Sequence, residues 1–368
     1  MIGGHGGNIF ALASALDCLP AEISDFSSNI NPLGMFPEIE LLLGQNLQAV
    51  MSLPEVDNRR VIRAFSAHYH IPEDRVLAGN GTTQFIYALP KALETEKALI
   101  LAPTYADYAD GCRLHGVSWE WLFASEDEAF IPDLAALSKA LDRYDTVYIC
   151  NPNNPTGCLV PGRSLLELCQ QHPETRFIID ESYLPFAVDG QDHSLLHSDL
   201  ANVVVLHSLS KIFGIPGLRV GFIKAAPSII KPLEQHLPPW SVNTLAQVVA
   251  GFLLSHDELT GEFIMRTRDY LASERRLLVE RLHTCEGLSH FPGAAPFILF
   301  RLPDGLQASG LCRQLASQRI LIRDCTNFIG LDDRFFRVSL KSPEANRLVS
   351  QKIIQWFGRQ DRLAGGNR

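Results

Sequence analysis

No Cys-x-x-Cys pair occurs in the chain, and its eight cysteines (Cys18, Cys112, Cys150, Cys158, Cys169, Cys285, Cys312 and Cys325) are scattered singly. That spacing argues against a zinc site, and a disulfide framework is unnecessary because 368 residues bury enough surface without staples. Basic residues are also short: 32 Lys and Arg stand against 41 Asp and Glu, a formal net charge of −9. Binding a phosphate backbone or an anionic bilayer leans on the opposite excess, so nucleic acid and membrane are not expected partners. No apolar run approaches the roughly 20 residues needed to cross a bilayer. The start, Met1-Ile2-Gly3-Gly4-His5, lacks the basic and apolar blocks of a secretion signal. Internal repeats, heptads and low-complexity tracts are absent. A cytoplasmic protein with reduced thiols is expected.

Present instead is an alternation of short β-rich runs with longer helix-like segments. Ala98–Leu101, Thr146–Ile149, Arg176–Ile179 and Val203–Leu206 are apolar almost throughout rather than at every second position. That is the pattern of strands buried on both faces, as in a mostly parallel sheet under helices. Asp133–Leu141 and Arg163–Gln171 have the spacing of covering helices. From about Asp257 a long charged helical stretch leads to Phe297–Phe300, Ile320–Ile322 and Phe335–Val338, expected as strands of a smaller α+β unit. The first forty-odd residues hold too few apolar positions for a core of their own. The tail from Arg359 is polar and is expected to fray.

The chemistry concentrates after the strands. Ser208-Leu209-Ser210-Lys211 follows a buried run and is itself followed by Gly214-Ile215-Pro216-Gly217-Leu218-Arg219. A lysine at the end of a buried strand is costly unless used, and desolvation suits it to Schiff-base formation by lowering its pKa. The hydroxyls and Arg219 around it suit a phosphate dianion. Asn151-Pro152-Asn153-Asn154-Pro155-Thr156-Gly157 and Asp180-Glu181-Ser182-Tyr183 follow two other strands. Open α/β sheets bind ligands beyond the carboxyl ends of their strands, so Asn154, Asp180 and Lys211 are expected on one rim. Asn80-Gly81-Thr82-Thr83 precedes a helical run, and such a turn offers free N–H groups and a positive dipole end to an anion. Each element alone also reads blandly, as a loop Asn, a capping Asp, a surface Lys or a helix cap.

In this order the motifs resemble the fold-type I pyridoxal-phosphate enzymes, the aspartate-aminotransferase superfamily, over nearly the whole chain. The resemblance implies a large, mostly parallel-sheet α/β/α domain and a small α+β domain. It implies that Lys211 links covalently to pyridoxal 5'-phosphate and that Asp180 pairs with the pyridinium nitrogen. Asn154 and Tyr183 would bond the ring's 3-oxygen, and Tyr105 would stack on its face. Gly81, Thr82, Thr83, Ser208, Ser210 and Arg219 would surround the phosphate. The expected catalytic set is Lys211, Asp180 and Tyr183, with no metal.

A narrower resemblance rests on His5-Gly6-Gly7-Asn8, Asp25-Phe26-Ser27-Ser28-Asn29-Ile30-Asn31-Pro32-Leu33-Gly34, Pro239-Trp240-Ser241-Val242-Asn243 and Ile320–Asn327. These segments are similar to the L-threonine-O-3-phosphate decarboxylases that serve the cobalamin nucleotide loop. Near relatives, the histidinol-phosphate aminotransferases, share the core motifs but not usually the His-Gly-Gly-Asn start. The substrate-side residues so implied are His5, Asn8, Asn31, Asn154, Arg323 and Arg337, taking a small phosphorylated amino acid. An Arg forks onto carboxylate or phosphate alike, so which anion each arginine takes stays open. The resemblance also implies a homodimer. It places a large domain at 45–255 and a small one built from 1–44 and 256–368. Departures are Leu53-Pro54 where the family commonly has Tyr-Pro, Pro296 where Asn is usual, and His207 where Arg is frequent. Aminotransfer on a histidinol-phosphate-like substrate, phosphoserine decarboxylation and cofactor binding without turnover are the alternative readings.

Overall fold

The structure, a computed structural model, describes residues 6–365. A short first strand, β1 (Ser24–Asp25), precedes the main sheet. That sheet is built from β2 (Val76–Gly79), β3 (Lys97–Ala102), β4 (Ser118–Phe123), β5 (Thr146–Cys150), β6 (Arg176–Asp180), β7 (Val203–Ser208) and β8 (Gly221–Lys224). Their order is β2-β8-β7-β6-β5-β3-β4. All neighbours are parallel except β8, which runs antiparallel to both β2 and β7. The mostly parallel architecture expected from the apolar runs is thus present. The antiparallel β8 is only four residues long and leaves no such run.

The fully apolar strands divide their side chains by strict alternation. Val147, Ile149, Phe177, Ile179, Val203 and Val205 enter one hydrophobic cluster. Tyr148, Cys150, Ile178, Val204 and Leu206 enter another, which also contains Phe85, Leu89, Tyr108 and Ile229. Helices Gly81–Ala92, Asp107–Leu114 and Pro227–Glu234 supply that second layer, and helices Arg59–Tyr69, Gly162–Gln171 and Thr244–Leu253 contribute to the first. Alternation also carries Asp180 to the Tyr148 and Ile178 side of the sheet, where Tyr108 lies.

Helix Asp257–Leu282 leads out to a second, four-stranded antiparallel sheet. It comprises β9 (Ser289–His290), β10 (Phe297–Arg301), β12 (Arg323–Asp324) and β13 (Phe335–Ser339), in the order β12-β13-β10-β9. Between β10 and β12 lies β11 (Ile320–Leu321), which pairs in parallel with β1 and so binds the start of the chain to its last third. Phe26, Phe36 and Ile39 are buried in the common core, with Phe36 packed edge-on against Phe213 and Phe263. The apolar-poor N-terminal segment therefore borrows its core from elsewhere.

The tail departs from the sequence expectation. Helix Pro343–Gly365 continues through the positions expected to fray. Val349, Ile353, Trp356 and Phe357 anchor its inner face, and extending a helix already nucleated costs less than starting one. Among the described residues no helix is long and apolar enough to cross a membrane, and all eight cysteines are free thiols.

Candidate active site

Asp180 ends β6, buried, with its two oxygens occupied by different donors. The Tyr108 hydroxyl donates to Oδ2 at 2.8 Å and the Ser182 amide to Oδ1 at 2.9 Å. Burial raises its pKa, while the Ser182 and Tyr108 hydrogen bonds and the charge of Lys211 pull the other way. Lys211 lies three residues beyond the end of β7. Burial and then the neighbouring Arg219 draw its ammonium down to about 8, against the opposing pull of Asp180. Two ionisable groups whose surroundings favour the neutral form thus share one rim, an arrangement typical of reactive sites.

The small sheet reaches over the same rim. Arg337, on β13, is 3% exposed. It donates through Nη1 to Asn154 Oδ1 and through Nη2 to the Ser27 carbonyl at 2.7 Å, and its guanidinium lies 4.8 Å from the Phe297 ring centre. Its buried Nε has no hydrogen-bond partner among the described residues. Asn29 Nδ2 donates to Tyr183 Oη at 3.0 Å, and the Ser339 hydroxyl donates to Asn29 Oδ1 at 2.8 Å. Asn154 and Tyr183 are therefore tied to both ends of the chain. Burial pushes the Tyr183 phenol up to about 12, with Arg337 opposing.

A cup stands at the other end of the rim. Gly81 opens helix Gly81–Ala92 at φ +71°, and a Cβ there would sit 2.6 Å from Arg219 Nη2. At Gly221 a Cβ would sit 2.6 Å from the Thr82 amide nitrogen. Backbone N–H groups and a guanidinium are thus brought together because no side chain intervenes. Thr82 and Thr83 are half-buried in this first turn, and Thr82 Oγ1 lies 3.5 Å from Ser182 Oγ. Ser208 and Ser210 are buried beside it, the Ser210 amide donating to Ser208 Oγ at 3.3 Å and the Ser210 hydroxyl to the Val220 carbonyl at 3.0 Å. The Tyr105 ring meets Tyr108 edge-on, with centroids 5.9 Å apart. Thr104 donates to Asn153 Oδ1 at 2.7 Å and so fastens the Tyr105 loop to the Asn154 loop.

Arg323 on β12 stands directly opposite Arg337 in the strand register. Its Nη2 donates to Asn327 Oδ1 at 2.6 Å and its guanidinium lies 5.1 Å from the Phe328 ring centre. Among the described residues neither arginine is in an ion pair. Like charges facing across a strand pair are destabilising in the absence of an anion.

Two residues expected on the substrate side are engaged elsewhere. Asn31 Nδ2 donates to the Ile212 carbonyl at 2.6 Å and to Thr267 Oγ1 at 2.8 Å, and its Oδ1 accepts from Leu33 N. It braces the Lys211 loop against the long helix. Asn8 is exposed and caps helix Ile9–Ala15, its Oδ1 accepting from the Ala11 amide at 3.1 Å. The capping geometry explains why an Asn stands there. The neighbouring Gly7 amide donates to Ser27 Oγ at 2.7 Å, so this segment lies against the residue whose carbonyl accepts from Arg337. His5 lies outside the described residues. Tyr108, Asn29 and Ser27 went unnoticed as site residues. Tyr108 falls one helical turn after Tyr105, and that spacing is its only signal.

The chain matches the aminotransferase class I and II family over residues 23–353. It belongs to that family. Two relatives are the bifunctional adenosylcobalamin biosynthesis protein CobDQ of Leptospira interrogans and the threonine-phosphate decarboxylase of Salmonella typhimurium. The chain is 30% identical to the first, with 98% of this chain and 42% of that protein covered, so it spans less than half of its length. It is 32% identical to the second, with 93% of each covered. Among solved structures, the histidinol-phosphate aminotransferase of Clostridium acetobutylicum aligns with a TM-score of 0.84 at 27% identity, covering 92% of this chain and all of that one. The L-threonine-O-3-phosphate decarboxylase of Porphyromonas gingivalis aligns at 0.81 and 28%, covering 91% and all of that chain.

This aminotransferase-family chain has the fold-type I architecture, and its cofactor is pyridoxal 5'-phosphate. The residues present fit that group. The Gly81 and Arg219 cup suits its phosphate, and Asp180, to which no cationic side chain is bonded among the described residues, suits a protonated ring nitrogen. The amine of Lys211, partly neutral near pH 8, suits its aldehyde.

Proposed function

We propose that the chain decarboxylates L-threonine O-3-phosphate to (R)-1-aminopropan-2-yl phosphate and CO2, for assembly of the cobalamin nucleotide loop. The observation that carries this reading is the pair Arg323 and Arg337. The two arginines lie opposite each other in the β12–β13 register, neither in an ion pair among the described residues, and the substrate carries two anionic groups. The similarity to threonine-phosphate decarboxylases over nearly the whole chain supports the same substrate.

When bound, the cofactor supplies an electron sink for charge developing at the substrate's α-carbon. Asp180 keeps the ring nitrogen protonated, and its hydrogen bonds from Tyr108 and Ser182 hold the carboxylate in place. The cup at Gly81, Thr82, Thr83, Ser208, Ser210 and Arg219 fixes the phosphate end, Asn154 and Tyr183 the opposite ring edge, and Tyr105 one face. Arg337 is the inner anion receptor, since it is buried and bonded to Asn154. Arg323 is the outer one, on the edge strand. With both anionic groups pinned by Arg337 and Arg323, rotation about the substrate's Cα–N bond would be set, and with it which bond at Cα is exposed to the electron sink. Held so that the Cα–carboxylate bond is the one exposed, the substrate would lose CO2, and Lys211 would supply the proton to Cα.

The aminotransferase reading uses the same residues with the Cα–H bond as the one broken instead, and one assay separates the two. Purified protein with threonine phosphate is expected to release CO2 and aminopropanol phosphate. Glutamate from histidinol phosphate and 2-oxoglutarate, without CO2 from threonine phosphate, would overturn the proposal.

A homodimer in the cytoplasm completes the reading. Leu47, Val50, Met51, Leu53 and Val56 are exposed, Leu53 at 76%, as is Trp240, whose amide donates a hydrogen bond to the Val56 carbonyl at 3.1 Å. Such an apolar patch suits a second copy of the chain. Light scattering at the mass of one chain would remove that part.

A further inference from the structure

Behind the Lys211 loop, away from the rim, lies a partly open cavity of about 480 Å³. Its lining includes none of Lys211, Asp180, Asn154 or Arg337. Leu209, Ile212 and Phe213 from the Lys211 loop form one apolar wall, and Thr260, Ile264 and Arg268 of helix Asp257–Leu282 form another. The size falls within the roughly 300–1,000 Å³ of small-molecule sites.

The polar groups in the lining are unequally employed. The two carboxylates are already served. Glu181, 1% exposed, accepts from the Ser194 hydroxyl at 2.5 Å and the Leu195 amide at 2.7 Å, and Asp257 pairs with His68 at 2.6 Å. The donors are not. Arg268 spends only Nε, on the Pro185 carbonyl at 3.0 Å, and no partner of its Nη groups is found among the described residues. His207, 6% exposed, uses Nε2 with the Tyr69 hydroxyl at 3.1 Å and has no Nδ1 partner among the described residues. Burial lowers the His207 pKa to about 4, so the ring is neutral near pH 7. The Tyr69 hydrogen bond at Nε2 can run in either direction, so the neutral ring can carry its proton at Nδ1 when an acceptor is bound there. Free donors over an apolar floor, with the carboxylates occupied, favour an anion with a hydrocarbon body.

We propose that this cavity is a second ligand site, taking a small organic anion with an apolar body, a carboxylate or a phosphate ester, whose acidic head is held by Arg268 and His207. The site is one residue away from the catalytic lysine. The Ile212 carbonyl accepts from Asn31 Nδ2, and the Asn31 amide donates to the Lys211 carbonyl at 3.1 Å. An occupant pressing on Ile212 therefore acts on the loop that carries Lys211.

The test is a titration of the pyridoxal-phosphate-loaded enzyme by calorimetry with 4-phenylbutyrate, phenyl phosphate and benzylammonium. Saturable binding of one or both anions, one per chain, is expected, with none of the cation. The two anion arms decide between carboxylate and phosphate ester. Arg268→Gln and Ile264→Trp, which empties the head site and fills the body site respectively, are each expected to weaken that binding at least tenfold. Both should leave the cofactor absorbance and circular dichroism unchanged. Absence of saturable anion binding overturns the proposal, as does equal binding of benzylammonium. Binding that survives both substitutions but is lost in Arg323→Gln also overturns it, because the probe then sits on the substrate arginines. The readout is direct binding, so it stands or falls independently of the decarboxylase reading.

Discussion

The Tyr108 hydroxyl donates to Asp180 Oδ2 at 2.8 Å, and the two residues come from helix Asp107–Leu114 and the end of β6, on the same side of the sheet. Tyr108 is 1% exposed and its ring stacks on Tyr148, with centroids 5.5 Å apart, so the hydroxyl has little freedom to look elsewhere. Burial holds the phenol far above its ordinary pKa, which keeps it a donor at every working pH.

Tyr108→Phe removes this donor and leaves Asp180 with the Ser182 bonds alone. A hydrogen bond to a charged group contributes about 1.5–3 kcal/mol, and loss of that order is expected in denaturant unfolding. The carboxyl pKa rises, since this bond lowers it. The loaded enzyme's absorbance should then become pH-dependent at a higher pH than in the wild type, with kcat reduced about tenfold and KM little changed. A KM increase with unchanged kcat and spectrum would show that Tyr108 only fills space.

Lys211 gives a pH dependence of its own. Its neutral amine is the nucleophile toward the cofactor aldehyde, and burial with Arg219 beside it brings its pKa to about 8. The rate at which the apoenzyme takes up pyridoxal 5'-phosphate covalently is therefore expected to rise with pH and level off above about 8. Lysine's ordinary value of 10.5 would put the plateau far higher. Borohydride should fix the cofactor on Lys211, and Lys211→Ala should retain it only non-covalently. A label on Lys224 or another lysine would redraw the site.

How much of this was legible in the sequence follows from where the signals lie. β5, β6 and β7 are built on runs apolar almost throughout, so their parallel, doubly covered setting could be read directly, and the residues at and just after their ends fall on one rim by the logic of open sheets. Arg323 and Arg337 were legible as candidates. Their opposition across β12 and β13 was not, because register between strands separated by a loop leaves no trace in spacing. Asn8 and Asn31 show the reverse case, since both side chains are engaged within the chain, one capping a helix and one bracing the Lys211 loop. An Asn reads the same whether it faces a ligand or caps a helix, and only the position of its hydrogen-bond partners separates the two. Tyr108 and the cavity behind Lys211 depend on packing between elements distant in the chain. Gly157 and Gly293 are a further instance. A Cβ on Gly293 would lie 2.9 Å from the Gly157 Cα, a contact between two loops that no local pattern announces.

Gly81→Ala tests the cup. The residue has φ +71°, and the added methyl would fall 2.6 Å from Arg219 Nη2. The side chain thus meets both backbone strain and the guanidinium that closes the anion site. Cofactor affinity should fall at least tenfold by fluorescence titration, or about 1.4 kcal/mol, while the apoenzyme loses less stability than that. Equal cofactor affinity in the variant would mean that the phosphate is held elsewhere.

Arg323 and Arg337 make opposite predictions for stability and for function. Facing cations on paired strands cost roughly 0.2–1 kcal/mol when nothing anionic lies between them. Arg323→Gln is therefore expected to raise the denaturation midpoint of the ligand-free protein slightly, and to raise KM for threonine phosphate tenfold or more. Added threonine phosphate should stabilise the wild type by thermal shift and the variant much less. Arg337→Gln differs because the side chain is buried and bonded to Asn154 and Ser27. It should destabilise the fold by about 1–3 kcal/mol through the acceptors it leaves unpaired, and lower kcat as well as affinity. Conservative Arg337→Lys keeps the charge but not the fork, so it should recover little of either. If Arg323→Gln leaves KM unchanged, Arg323 holds neither anion, and the paired-arginine basis for a doubly anionic substrate fails.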